Sequence, residues 1–166
     1  ITNIARLKSD DYVHEWRSQT MLTQNPVFAN GLAQMTMGAP FSCFNGGLLM
    51  ARVRYFDVDN RRPGLPENVA ALVKKLEKDR TVLQLVNLNA FENRLVLIQA
   101  GAYGEHGFTN VSQLNREGNS SGSEKCVVNA NCFAVDLPPS TSITLDIGTR
   151  LYVNTPTYAY PWNKSK

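Results

Sequence analysis

Two acid–base dipeptides, Glu105–His106 and His14–Glu15, hold both histidines of the chain. A carboxylate beside an imidazole can supply a general base and a general acid when both reach one substrate atom. Glu105 and His106 lie in "AGAYGEHGFT", residues 100–109, after a run of strand-like residues. Neighbours on an extended strand point to opposite faces, so this pair converges only if the chain turns there. Gly104 and Gly107 permit a turn. The expected role is structural, with both residues making hydrogen bonds that hold a strand end, because a Glu–His dipeptide alone carries little of the geometry a site requires. If the chain is an enzyme, Glu105, His106 and Arg54 are the candidate catalytic residues. His14 and Glu15 would join them only through tertiary proximity, and a solvated helix face is the default for that pair.

Other chemistries have weaker signals. "DVDN", from Asp57 to Asn60, matches the start of a calcium loop, but Arg61 and Arg62 stand where an oxygen ligand and a glycine are needed. A loop held by Arg–Asp pairing is expected instead, and no metal. Glu92, Asp136 and Asp146 are isolated carboxylates. A glycosidase needs two such groups about 5–10 Å apart, and no spacing here selects a pair. Asp136 and Asp146 alternate with core positions and are expected to point outward. Cys43, Cys126 and Cys132 have no metal-ligand spacing. On one strand Cys126 and Cys132 would lie roughly 20 Å apart, so only a tight turn at Asn129–Asn131 would let them bridge; unpaired thiols are expected. The glycines at 101, 104 and 107 do not follow a dinucleotide-binding order, and no phosphate loop or nucleophile elbow occurs, so no cofactor is expected. In "YAYPW" the aromatics alternate. Tyr158, Tyr160 and Trp162 are the candidate ligand-binding residues, able to stack on sugar rings or anchor a partner. Packing against a neighbouring domain or the sandwich end is the first expectation for them.

The elements that must position these residues read as mainly β. The chain has 166 residues, enough for one domain with its own core. Residues 1–40 are a mixed extension: Ser9 can cap a short helix over about 10–20, and Asn25-Pro26 can start another that Gly38-Ala39-Pro40 ends. "LMARVRYF" alternates as a strand, with Arg52 and Arg54 on one face. In "PENVAALVKKLEKD" Val69, Leu72, Val73 and Leu76 recur at helical spacing and predict a surface helix over 66–79. "TVLQLVNL" and "RLVLIQAGAY" read as an antiparallel pair joined by "AFEN". "NREGNSSGSE" reads as an exposed loop, and Phe133, Val135, Leu137 and then Ile143, Leu145, Ile147 each share a face. Short strands between turn signals predict an antiparallel, Greek-key-like β-sandwich.

Bulk charge excludes some partners. The net charge of +3 is modest, and its short clusters, Arg61–Arg62 and Lys74–Lys75, lack the dense basic stripe of a nucleic-acid binder. No apolar run has the length of a membrane span, and no signal peptide is recognisable. The chain opens "ITNIARLKSDDY" without a methionine, so a mature or excised segment of a longer polypeptide is expected. Three sequons, at Asn110, Asn119 and Asn163, matter only in a secreted eukaryotic protein.

Residues 45–64, "NGGLLMARVRYFDVDNRRPG", 81–108, "TVLQLVNLNAFENRLVLIQAGAYGEHGF", and "VDLPPSTSITLDIG" further on together resemble the C-terminal β-sandwich segment of large bacterial proteins of the glycoside-hydrolase or polysaccharide-lyase kind. The resemblance implies a small all-β cap whose parent carries its catalytic residues in a preceding domain, so no catalytic residue transfers to this chain. The expected function is then a non-catalytic accessory domain of an extracytoplasmic, carbohydrate-active protein. It would pack on a catalytic domain or partner subunit, or touch glycan. A free-standing small enzyme, a lectin-like carbohydrate-binding protein and an oligomeric structural protein are the alternatives.

Overall fold

A computed structural model describes residues 30–39, 50–115 and 126–163. Two antiparallel sheets pack as a sandwich. The strands are β1 (Val53–Asp57), β2 (Arg62–Pro63), β3 (Val69–Leu76), β4 (Arg80–Asn87), β5 (Arg94–Ala100), β6 (Gly107–Leu114), β7 (Cys126–Ala130), β8 (Cys132–Leu137) and β9 (Ser142–Arg150). One sheet has the order β2-β1-β5-β8, the other β3-β4-β9-β6-β7. The longer strands send alternate residues inward. Val53, Tyr55, Val96, Ile98, Ala100 and Leu137 from the first sheet meet Leu83, Leu85, Phe108, Leu145 and Ile147 from the second. The strand patterns expected for 51–56, 133–137 and 143–147 are those observed.

Two expectations are corrected. The helix expected over 66–79 is strand β3, paired with β4 from Val69↔Asn87 to Leu76↔Thr81. A bulge between Val73 and Lys75 explains the misreading. Val69, Ala71 and Val73 pack on the core, and the inserted residue puts Leu76, 47% exposed, three places on from Val73, an interval that imitates helical spacing. The β-branched valines and the hairpin partner decide for strand. The second correction concerns "TVLQLVNL" and "RLVLIQAGAY". β4 and β5 do not pair; they lie in opposite sheets, and residues 88–93 cross between them. A short connection between strands fits a sandwich crossing as well as a hairpin.

That crossing is built around Asn87, which is 1% exposed. Its Nδ2 donates to the carbonyls of Glu92, Leu137 and Pro138, and its Oδ1 accepts from the Asn89 N–H. One side chain therefore satisfies the polar backbone of two adjacent loops. At the other end Arg52 does similar work, donating to the carbonyls of Glu77 and Lys78 in the β3–β4 turn at 2.7 and 3.0 Å. A short helix, α1 (Asn30–Met37), packs on β3 and is tied to β1 by the Tyr55 hydroxyl, which donates to the Thr36 carbonyl. Burial pushes the Tyr55 hydroxyl pKa well above its ordinary value. Gly38, at φ +63°, ends α1 against Leu76 and Arg52. The helix expected over 10–20, and with it His14 and Glu15, lies outside the described residues, as do Cys43 and Asn119.

Candidate functional site

The β5–β6 connection shows why Glu105 and His106 sit where they do. The chain turns over 101–104, with Gly101 at φ +89° and Gly104 at φ +73°. Both values favour glycine. The Glu105 carboxylate fills the turn: Oε1 accepts from the Ala102 N–H at 3.2 Å and Oε2 from the Tyr103 N–H at 2.7 Å. A Cβ at Gly101 would lie 2.4 Å from that carboxylate. The turn brings the two side chains together, with His106 Nε2 3.8 Å from Glu105 Oε1. That distance is beyond hydrogen-bond range.

His106 is 0% exposed. Its Nδ1 accepts the Tyr152 backbone N–H at 3.1 Å, which places the proton of the neutral ring on Nε2. Nε2 is buried without a hydrogen-bond partner among the described residues. Burial lowers the imidazole pKa, and the Arg52 charge adds to this; the pull of Glu105 in the other direction does not outweigh them. His106 is therefore a neutral acceptor that fastens the C-terminal segment. Four further bonds complete the latch: Asn154 Nδ2 to the His106 and Gly104 carbonyls, the Asn154 N–H to the Glu105 carbonyl, and the Thr157 N–H to the Tyr103 carbonyl. The Tyr152 ring stands edge-on to the imidazole at 4.7 Å. Arg54 donates to the Ala102 carbonyl and lies 5.0 Å from the Phe56 ring centre. All three candidate catalytic residues thus gather around one peptide segment, with their polar groups turned to backbone or to each other.

The latched segment explains the aromatic tail. Phe56 faces away from the core, yet it is 1% exposed. Tyr160 and Trp162 stand edge-on to it at 6.2 and 5.6 Å and stack on each other at 5.1 Å. They cover part of the outer face of the four-stranded sheet. Tyr158 meets Tyr103 at 5.3 Å and remains 88% exposed. The three aromatics are thus not one platform: Tyr160 and Trp162 pack on the sheet, and Tyr158 projects.

The remaining candidates separate. Asp57 is buried and accepts from the Asn60 backbone N–H and Nδ2, and Arg62 Nη2 lies 3.0 Å from its Oδ2. Burial alone would raise its pKa, but the Asn60 bonds and the Arg62 charge together hold it below its ordinary value. This is the Arg–Asp loop expected. Asp136 lies on β8 and Asp146 on β9, in different sheets, and each alternates with inward residues. They face opposite sides of the sandwich, which removes them as a two-carboxylate site. Asp146 takes Nε and Nη2 of Arg80, at 2.5 and 2.7 Å, and Glu92 pairs with Arg94 at 2.7 Å. Cys126 and Cys132 are free thiols, because β7 and β8 diverge into different sheets. Among the described residues no three His, Cys, Asp or Glu gather to hold a metal, and no helix is long and apolar enough to cross a membrane.

One feature escaped sequence reasoning. A groove of about 970 Å³ crosses the outer face of the five-stranded sheet. Val82 and Gln84 of β4, Ser142 and Thr144 of β9 and Leu114 of β6 line it, with Lys74, Lys75 and Arg80 at one side. The β3 bulge puts successive lysines along this wall. The available signal was the outward alternation of β4 and β9, but the lysines lay in the segment read as a helix.

No protein-family model, no curated protein and no solved structure matches the chain.

Proposed function

We propose that this chain is a non-catalytic accessory β-sandwich domain of a larger extracytoplasmic, carbohydrate-active protein, and that it works by contact with glycan and with its parent domain. One observation carries the reading: Glu105 and His106 are spent on the fold. A general base must reach a substrate proton. Glu105 is 5% exposed and His106 0%, and the Glu105 oxygens already accept two backbone N–H groups. The open groove, by contrast, is lined by accessible polar side chains such as Lys74 and Ser142. Tyr158 and the neighbouring Tyr152 and Val153, 88%, 64% and 50% exposed, supply apolar surface for a parent domain.

The reading is tested by incubating the purified chain with a panel of insoluble and gel-embedded polysaccharides. Retention and product release are followed on the same samples. Retention without new reducing ends or unsaturated products is expected. Product release that disappears in His106→Gln would make the chain an enzyme. Failure to be retained by any polysaccharide would remove the glycan role.

A further inference from the structure

From the groove on the five-stranded sheet we infer an anionic glycan as ligand, a polysaccharide whose sugars carry carboxylate or sulfate groups; this rests on the proposed glycan-contact role. The two outer faces of the sandwich differ. The four-stranded sheet has Tyr160 and Trp162 packed over Phe56. The five-stranded sheet keeps its groove, and the groove has a chemical bias. Three cationic side chains line it, and no carboxylate does among the described residues. Lys75 and Arg80 have carboxylate partners, Glu77 and Asp146, that do not line the groove. Lys74 is exposed and forms no ion pair among the described residues. A ligand anion would therefore meet one ammonium with no ion pair among the described residues and two cations already paired with carboxylates.

The rest of the lining sets the ligand class. Hydroxyl and amide side chains dominate it: Gln84, Asn115, Ser140, Thr141, Ser142 and Thr144. Such groups offer donors and acceptors suited to sugar hydroxyls. No aromatic ring lines the groove among the described residues. Neutral sugars bound through stacking need such a ring, and so do the bases of single-stranded nucleic acid. Three cations beside a hydroxyl-rich floor instead match charge-assisted bonds to spaced anionic groups, with neutral bonds between them. The volume falls within the range of ligand sites.

Affinity electrophoresis tests this with the full chain. The gels contain a polyuronate, a sulfated galactan or a neutral β-glucan. The variants are Lys74→Glu and, as a charge-matched control outside the groove, Arg61→Glu. Thermal denaturation checks that both fold. Retardation by at least one acidic polymer and not by the neutral one is expected, weakening as salt is added. Lys74→Glu should weaken binding about tenfold, the scale of one reversed charge at contact distance, while Arg61→Glu leaves it nearly unchanged. Acidic polymer held equally by wild type and Lys74→Glu would overturn the groove as the site while leaving glycan contact standing. Equal or stronger retention on neutral glucan would overturn the anionic class alone. Displacement of bound polyuronate by DNA at lower charge concentration would make nucleic acid the occupant and overturn the inference. Retention on none of the gels would remove both this inference and the glycan role.

Discussion

Replacing Glu105 by Gln tests whether this carboxylate holds the fold. The substitution keeps size and shape and changes only hydrogen-bonding character. In the wild type each carboxylate oxygen takes one backbone N–H, from Ala102 and from Tyr103. An amide offers one oxygen and one NH2. One backbone donor keeps a weaker, uncharged partner, and the other faces a donor. A hydrogen bond to a charged group contributes about 1.5–3 kcal/mol, and an orphaned buried donor costs about 1–3. These overlap because one event causes both, so the expected loss is about 2–3 kcal/mol. For a domain of this size 1 kcal/mol moves the melting temperature by about 2–4 °C. A fall of about 4–12 °C is therefore expected near neutral pH, followed by circular dichroism, with the sandwich spectrum retained at low temperature. A melting temperature within about 1 °C of wild type would refute the structural assignment of Glu105, since one charged bond cannot be lost and the other weakened without a trace.

Three further outcomes follow from the same geometry. Gly101→Ala places a Cβ against the Glu105 carboxylate at a φ of +89°, and unfolding titration should show a loss of about 3 kcal/mol. Asn87→Ala strips partners from three carbonyls and one N–H, and chemical denaturation should likewise report about 3 kcal/mol. His106 has a folded pKa below its ordinary value, so in the window between the two the unfolded chain binds more protons and stability rises with pH. Its contribution is full above about 6.5 and is lost as pH falls from there through the depressed folded value. The difference between wild-type and His106→Gln melting profiles should carry that slope, and a difference independent of pH would count against it.

Much of the fold was legible, and the failures have physical causes. β1 and β9 announced themselves because one face of each is core and the period is two. The turn before Glu105 was legible in part: Gly104 is one of the two glycines expected to permit it, but the other is Gly101, not Gly107. β3 was misread because a bulge is an insertion in register, and an insertion converts a period of two into a spacing that resembles a helix turn. The β4–β5 relation was misread because local sequence records where a strand ends, not which sheet receives the next one. Phe56 shares its face with Arg52 and Arg54, so nothing nearby signals that a tail more than one hundred residues later packs on it. The groove was invisible for a similar reason. Serine, threonine and glutamine on outward positions look like any solvated face until three strands set them side by side.

The central proposal is that this chain binds through the open face of the five-stranded sheet and that the Glu105–His106 pair is structural. The most direct measurement is an amide NMR titration of the chain with a soluble acidic oligosaccharide. Shift changes at Lys74, Gln84, Thr144 and their strand neighbours, with residues 101–106 unmoved, are the result expected. Changes centred on Glu105 and His106, with the groove residues silent, would contradict the account.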